Sequence, residues 1–536
     1  MSRFLKGAVG VLAAWTALTA LHGPVLRLPY YWDEAGYYVP AALDLWRHGL
    51  LIPKSTLPTG HTPLVMAYLA LAWSAFGFSS LTTRLAMLLV AGVTVVATYR
   101  LAHAVLGEGP HTPEAATWSA ALLSVTPLFF AQSSLVHLDL SAALFTLLAL
   151  AALLGERWRW FAVTASLAVL SKETAVVLVP VASLFVWHES DKKGRRLRKE
   201  VWLALLSPCL VLGVWALYYH HQTGYWTGNP VYLKYNLYST LSPVRIALRL
   251  LRRLYEVGIG GFNWMLVSAA LAGGWWSRKE RLRRPCRPVE TAMGNSLSRV
   301  HTDAVETGSR LEPRFFFLAA LLTAAYIVML SVVGGAILPR YLLPLFPPIV
   351  VVAILFVWRL PRAAARACCV VAAACLVSSW FINPPYPFPF EDNLAYADFV
   401  LLHQQAARYL AVPYGAEAGA RRILTAWPAS DELDRPQLGY VSRPLHVVPV
   451  DGFTAADFDT VAPGSFDLVY IYSRKWEPSG NLVARFSWVG RLQRRYFDYA
   501  PQVSEAELAA RFHLKPVARW ERRGQWVAID KVDSPN

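Results

Sequence analysis

The chain has 536 residues, 55% of them hydrophobic and only 16% charged, with a mean hydropathy of +0.35, whereas an ordinary soluble domain carries about a quarter charged residues. That balance excludes a disordered chain and an ordinary cytosolic protein. The net charge of +16 does not indicate nucleic acid, because Lys and Arg gather in short clusters between long apolar blocks, the pattern of a polytopic membrane protein.

In chain order the apolar blocks fall near 5–22, 62–77, 81–104, 114–130, 138–154, 158–187, 201–219, 255–276, 315–336, 341–358 and 366–381. The first follows Arg3 and Lys6 and shows no convincing small-residue cleavage site, so it reads as an uncleaved span with a cytoplasmic N-terminus. Three basic clusters, Lys192 to Lys199, Arg278 to Arg287 and Arg359 to Arg366, are expected on the cytoplasmic side. All three fall there only if 62–77 is a helix lying on the membrane surface and 158–187 is two short spans separated at Lys172-Glu173. Block 62–77 is short and begins at a proline, as a surface helix should. The count is then about eleven spans in a polytopic α-helical membrane domain, 1–381, with a first external loop at 23–80.

Asn383 opens the run Asn-Pro-Pro-Tyr-Pro-Phe-Pro-Phe, a stiff linker, and the chain beyond it becomes soluble in character. Residues 382–536 are predicted to form a small external α/β domain. Phe399, Leu402, Ala406 and Leu410 have helical spacing, while 421–426, 445–450, 466–472 and 525–530 read as strands. No Gly-rich phosphate loop follows a strand, so the tail is expected to act as a lid or docking surface. The five cysteines show neither a CxxC pair nor zinc spacing.

The densest polar and aromatic stretch is Tyr30-Tyr31-Trp32-Asp33-Glu34-Ala35-Gly36-Tyr37-Tyr38 in the first external loop. A carboxylate among rings at the bilayer surface can take the proton of an attacking hydroxyl, which makes Asp33 the candidate general base. The bland alternative is an aromatic interface belt with an acidic helix start. His61, in Gly60-His61-Thr62-Pro63, opens the surface helix, and Asp139 with His137 marks the outer end of a span, where an acid needs a partner or a task. Positive-inside logic leaves Lys234, Arg245, Arg249, Arg252 and Arg253 unexplained, and also Arg340 between two spans. Guanidinium groups there can neutralise a phosphate or bind anionic lipid head groups. A base, further carboxylates and cations beside an apolar surface suit a substrate with a lipid tail, a phosphate and a transferable group.

The order Tyr31-Trp32-Asp33-Glu34-Ala35-Gly36-Tyr37, then His61-Thr62-Pro63-Leu64, Phe76-Gly77 and Thr83-Arg84-Leu85, resembles bacterial glycosyltransferases of the GT-C class. Within that class it is similar to the protein O-mannosyltransferase and lipid A aminoarabinose transferase relatives. Asp139, Leu170-Ser171-Lys172 and Arg340-Tyr341-Leu342-Leu343-Pro344 continue the match in order. The resemblance implies inverting transfer of a sugar from a polyprenyl-phosphate donor to a glycan, lipid or protein hydroxyl at the outer face of a bacterial cytoplasmic membrane. It implies Asp33 as catalytic carboxylate, with Glu34 and Asp139 shaping the acceptor or sugar site. Arg340, Arg245, Arg249, Arg252 and Lys234 would bind the donor phosphate, and His61, Tyr37, Tyr341 and His137 would line the substrate site. No cofactor is called for; carboxylates near His61 and His137 could recruit a divalent metal, but no ligand spacing demands one.

Two departures from the family pattern remove positive charge. Many relatives have Lys-Pro-Pro where this chain has His61-Thr62-Pro63, and often an Arg where it has Gly36. Two other readings stay open, a transporter or flippase of a lipid or solute and a membrane receptor presenting its tail.

Overall fold

The computed structural model describes residues 3–192, 194, 198–226, 228–231, 233, 241–283, 298–333, 337–382, 391–411, 421–474, 486–497 and 499–533. Each apolar block is helical. Four helical stretches, Ser80–Leu106, Lys199–Thr223, Leu311–Val332 and Pro339–Val357, are each long and apolar enough to cross a membrane. The other passes are shorter or bent, as in the 114° break between Pro127–Ser134 and Leu138–Leu154. Helix starts follow local rules: Ser79 caps Ser80–Leu106 by accepting from the Thr82 amide at 3.0 Å.

Ion pairs mark the two ends of this helical body. At one end Arg314 pairs with Glu189 at 2.7 Å and Glu156 at 3.3 Å, Arg366 with Glu114 at 2.6 Å, and Arg359 with Glu312. At the other, Lys172 lies 2.6 Å from Asp139 and Arg340 holds Asp33. The described residues of the predicted cytoplasmic clusters therefore share one end, opposite Asp33. Gly273 packs against the Phe356 carbonyl so closely that a Cβ would overlap it, which brings the basic end of Asn263–Arg283 alongside Arg359.

The block 158–187 runs as the charge pattern predicts. Trp158–Ser171 ends at Lys172, whose backbone is extended, and a 3-10 turn Glu173–Val177 leads into Leu178–Lys192. The first helix starts beside Glu156 and reaches Asp139 through Lys172; the second returns to Glu189 at the Arg314 end. The segment thus traverses the body twice. The predicted surface helix is Leu64–Phe76, 13 residues long. A helix of that length rises about 20 Å, short of a hydrocarbon core of about 30 Å. It buries Leu69 and Trp73 while Leu71 and Phe76 face outward.

The C-terminal residues form a five-stranded mixed sheet in the order β2-β1-β3-β5-β4. Its strands are β1 (Ile423–Ala426), β2 (Val447–Val450), β3 (Leu468–Tyr472), β4 (Leu514–Arg522) and β5 (Gln525–Val532). Both β2 and β3 pair parallel with β1, and β5 pairs antiparallel with β3 and β4. Helix Ala395–Ala411 packs on β4 and β5 and buries Phe399, Leu402, Ala406 and Leu410, the face its spacing predicts. Strand β4 was not predicted. It is an edge strand with charged residues and a bulge between Pro516 and Ala518, so it lacks the apolar alternation of an inner strand.

This domain is built onto the first loop. Tyr30 donates its amide to the Leu438 carbonyl at 3.2 Å and accepts from Tyr440 Oη at 3.0 Å. Tyr31 rests against Tyr396 and Phe399, and Trp427 packs on Trp32 and Tyr37. A Cβ at Gly36 would come within 2.5 Å of the Trp427 indole, so only a residue without a side chain admits that contact. Gly36→Ala is expected to cost about 1–3 kcal/mol through overpacking and to loosen the domain. Faster protease cleavage within 382–392 would report this, and a second change, Trp427→Leu, should relieve it.

Candidate active site

The first loop separates its two acids by an unusual backbone path. Trp32 lies in the left-handed region, with φ 45°, and Glu34–Tyr38 form a single π-helical turn, a wide turn that recurs at functional positions. Asp33 and Glu34 consequently engage different arginines.

Glu34 is fully buried and ion-paired to Arg84, whose Nη2 lies 2.9 Å from Oε2. It also accepts from the amides of Tyr31, at 2.8 Å, and Val136. Arg84 in turn donates to the Ser134 and Pro29 carbonyls. With its oxygens engaged and no exposed surface, Glu34 fastens the loop to two membrane helices. Glu34, expected from sequence to shape the acceptor site, is placed by these contacts away from Arg340 and paired with Arg84.

Asp33 meets Arg340 instead. The Arg340 guanidinium, itself buried, donates Nη2 to Asp33 Oδ2. Its Nη1 donates to Glu391 Oε2 at 2.7 Å and to His137 Nε2 at 2.9 Å, while Nε is 3.5 Å from Asp139 Oδ2. His137 Nδ1 lies 2.7 Å from Gln132 Oε1. An amide oxygen only accepts, so Nδ1 carries the proton and Nε2 is the acceptor for Arg340. Gln132 Nε2 completes the chain by donating to the Glu391 carbonyl at 2.8 Å.

Around this centre, Asp139 also pairs with Lys172, whose ammonium sits 3.7 Å from the centre of the Tyr341 ring. His61 Nδ1 lies 3.0 Å from Glu173 Oε2, and the Tyr38 ring stands about equally far from His61 and His137. Among the three acids paired with Arg340, the Asp33 side chain keeps 17% of its surface exposed, against 3% for Asp139 and 7% for Glu391, while Glu173, beside His61, keeps 38%. Asp33 is the most exposed of the acids that Arg340 holds. Burial, opposed by Arg340 and reinforced by the charges of Asp33, Asp139 and Asp392, raises the Glu391 carboxyl to about 7.

The sequence-predicted residues Asp33, Asp139, His137, Arg340 and Tyr341 come together, with His61 joined to them through Tyr38. Tyr37 is instead turned to Trp427 and helps seat the C-terminal domain. Arg252 pairs with Glu256 and donates to the Ile337 carbonyl, while Arg253 donates to that of Leu338; both contacts lie just before Arg340. Arg249 and Arg245 stand one and two turns further along helix Pro243–Gly258, buried on the same face as Arg253. Lys234 lies outside the described residues. Glu391, Gln132 and the tie from Lys172 to Asp139 were not predicted as site features. The available signals were a Lys-Glu pair interrupting a thirty-residue apolar run and an acidic pair directly after the proline-rich linker. Among the described residues, no three His, Cys, Asp or Glu side chains converge as a metal site would require.

Comparison with known proteins bears on the fold and the family. Residues 60–219 match the model of a family described as dolichyl-phosphate-mannose-protein mannosyltransferase. ArnT from Cupriavidus metallidurans in a crystal structure with undecaprenyl phosphate is 13% identical, with a TM-score of 0.52 over 98% of this chain and 97% of that one. The same protein in its apo state gives 12% identity and a TM-score of 0.55 over the same shares of both chains. Among curated proteins the sequence finds no match. The fold is the GT-C fold, and the chain is a multi-pass membrane protein of that class. With the family match it is an enzyme, a glycosyltransferase.

Glu34→Gln would leave the Arg84 charge buried and uncompensated, a loss of about 3–5 kcal/mol for a pair broken on one side. Thermal unfolding followed by tryptophan fluorescence should show a clear drop in midpoint, whereas a variant as stable as wild type would contradict the anchoring role.

Proposed function

We propose that the protein transfers a sugar from a polyprenyl-phosphate donor to an acceptor hydroxyl, with inversion at the anomeric carbon and Asp33 as general base. The observation that carries this reading is Arg340 holding Asp33 by one oxygen while Asp33, of the three acids paired with Arg340, keeps the most exposure. The acceptor oxygen gives its proton to Asp33 and attacks the anomeric carbon. The bond from that carbon to the phosphate oxygen breaks, and its electron pair leaves with the phosphate. Arg340, with Arg252 and Arg253 beside it, neutralises the departing charge, so stabilisation grows as the transition state forms. Lys172 orients Asp139 at the rim of the same site. The undecaprenyl phosphate bound by ArnT supports a lipid phosphate as the donor's carrier.

The site lies at the end opposite the basic clusters, which supports a cytoplasmic N-terminus, a reaction at the outer face and an external C-terminal domain. Protein Ser or Thr, a lipid glycan or a cell-envelope polysaccharide all present the hydroxyl this mechanism needs.

The test is donor turnover in purified membranes with a panel of labelled polyprenyl-phosphate sugars. Asp33→Asn keeps the size and removes the base, so turnover should fall by about 100- to 10,000-fold. Turnover equal to wild type on an active donor would remove Asp33 from the role.

A further inference from the structure

The cluster around Arg340 contains more negative than positive charge. Among the described residues, the cations paired with Asp33, Asp139 and Glu391 are Arg340 and Lys172, and both terminal nitrogens of Arg340 are already engaged. A phosphate brought to Arg340 would add to that surplus unless one carboxylate left or took a proton.

Glu391 is the acid placed to do so. It comes from the segment that opens the external domain, not from a membrane helix. Its Oε2 occupies Arg340 Nη1, while its Oε1 is buried without a hydrogen-bond partner among the described residues. A buried ionised oxygen left unbonded is costly, which weakens the hold of the charged form. Glu391 also lines a cavity of about 550 Å³. That cavity carries Arg252 and Asn263 near the acids and Leu128, Leu342 and Phe346 on its apolar wall, the composition that a phosphate with a hydrocarbon tail requires.

We propose that Glu391 is a placeholder for the donor phosphate: in the free enzyme it occupies Arg340 Nη1, and on binding it takes up one proton and yields that position to a phosphodiester oxygen. This deepens the proposed function and rests on its choice of donor. The charge balance is simple. One phosphodiester anion enters, one proton joins the Glu391 carboxylate, and the total charge of the site is unchanged. Asp33 remains on Nη2, ready for the acceptor.

The groups that face Glu391 agree with this exchange. Arg340 on the turn Pro339–Leu345 favours its charged form. Asp33 from the first loop, Asp139 from helix Leu138–Leu154 and neighbouring Asp392 oppose it, and His137 stands 3.9 Å away. Arg252 and Glu256 of helix Pro243–Gly258 face it across the cavity with opposite charges. Its carboxyl stands at about 7 in the free enzyme. Replacing its cation partner by an anion raises it further, so binding is coupled to proton uptake. Affinity is then constant well below pH 7 and falls above it by a factor approaching about tenfold per pH unit.

The experiment measures binding of farnesyl methyl phosphate, a diester with no titration near pH 7, to the full-length protein in nanodiscs between pH 5.5 and 8.5. Wild type should show the falling affinity. Glu391→Gln should bind with constant affinity and more tightly than wild type at pH 8.5, whereas Glu391→Asp and Asp33→Asn should keep the slope. Thermal midpoints of the same samples show that each variant is folded. Binding that is independent of pH in wild type, or a slope that survives in Glu391→Gln, would overturn the placeholder while leaving the lipid-phosphate donor standing. Absence of diester binding at every pH would overturn both.

Discussion

The site depends on one buried guanidinium. Arg340 draws together the first loop through Asp33, a span end through Asp139, the break before that span through His137, and the C-terminal domain through Glu391. Arginine suits this position because its rigid fork of donors serves several acceptors at once and stays charged when buried. Burying such a charge is expensive unless its partners are held in place, and the surrounding structure supplies that restraint. Glu34 and Arg84 lock the loop that carries Asp33, Lys172 fixes Asp139, and Gln132 fixes both His137 and the Glu391 backbone.

The C-terminal domain takes part in the same arrangement. The tail reads from sequence as a lid or docking surface, yet its leading segment places a carboxylate on Arg340, and Trp427 closes over the first loop. The Gly36 departure gains a structural meaning here. Where relatives often carry an arginine, this chain has a residue small enough for an indole to pack on the backbone. His61 makes a comparable exchange: in place of the lysine of many relatives it forms a pair with Glu173. Both positions, read from sequence as departures from the family pattern, make a local contact in the structure.

What the sequence revealed followed from signals that are local or periodic. Apolar blocks and basic clusters gave the order of the helices and even the double traverse around Lys172, because span length and charge asymmetry are written along the chain. Helix Ala395–Ala411 and four of the five strands were legible from their burial period, while β4 hid behind its charges and bulge. At the site, Asp33, Asp139 and Arg340 could be found because each is a charge at the edge of an apolar block. The division of labour between Asp33 and Glu34 could not, since it arises from the turn of backbone at Trp32 and from arginines 50 and 307 positions away in the chain. Glu391 escaped notice for the same reason: it lies 51 residues beyond Arg340, in what reads as a linker.

The position of Glu391 and Trp427 after the last membrane helix governs when the enzyme becomes complete during synthesis. Every membrane pass can be made and inserted while Arg340 still lacks one of its carboxylates and Gly36 still lacks its cover. The cluster around Arg340 closes only when the C-terminal domain has emerged and folded back onto a loop made some four hundred residues earlier. A chain cut after residue 381 would keep the described membrane helices while Arg340 lacked Glu391 and Gly36 lacked Trp427.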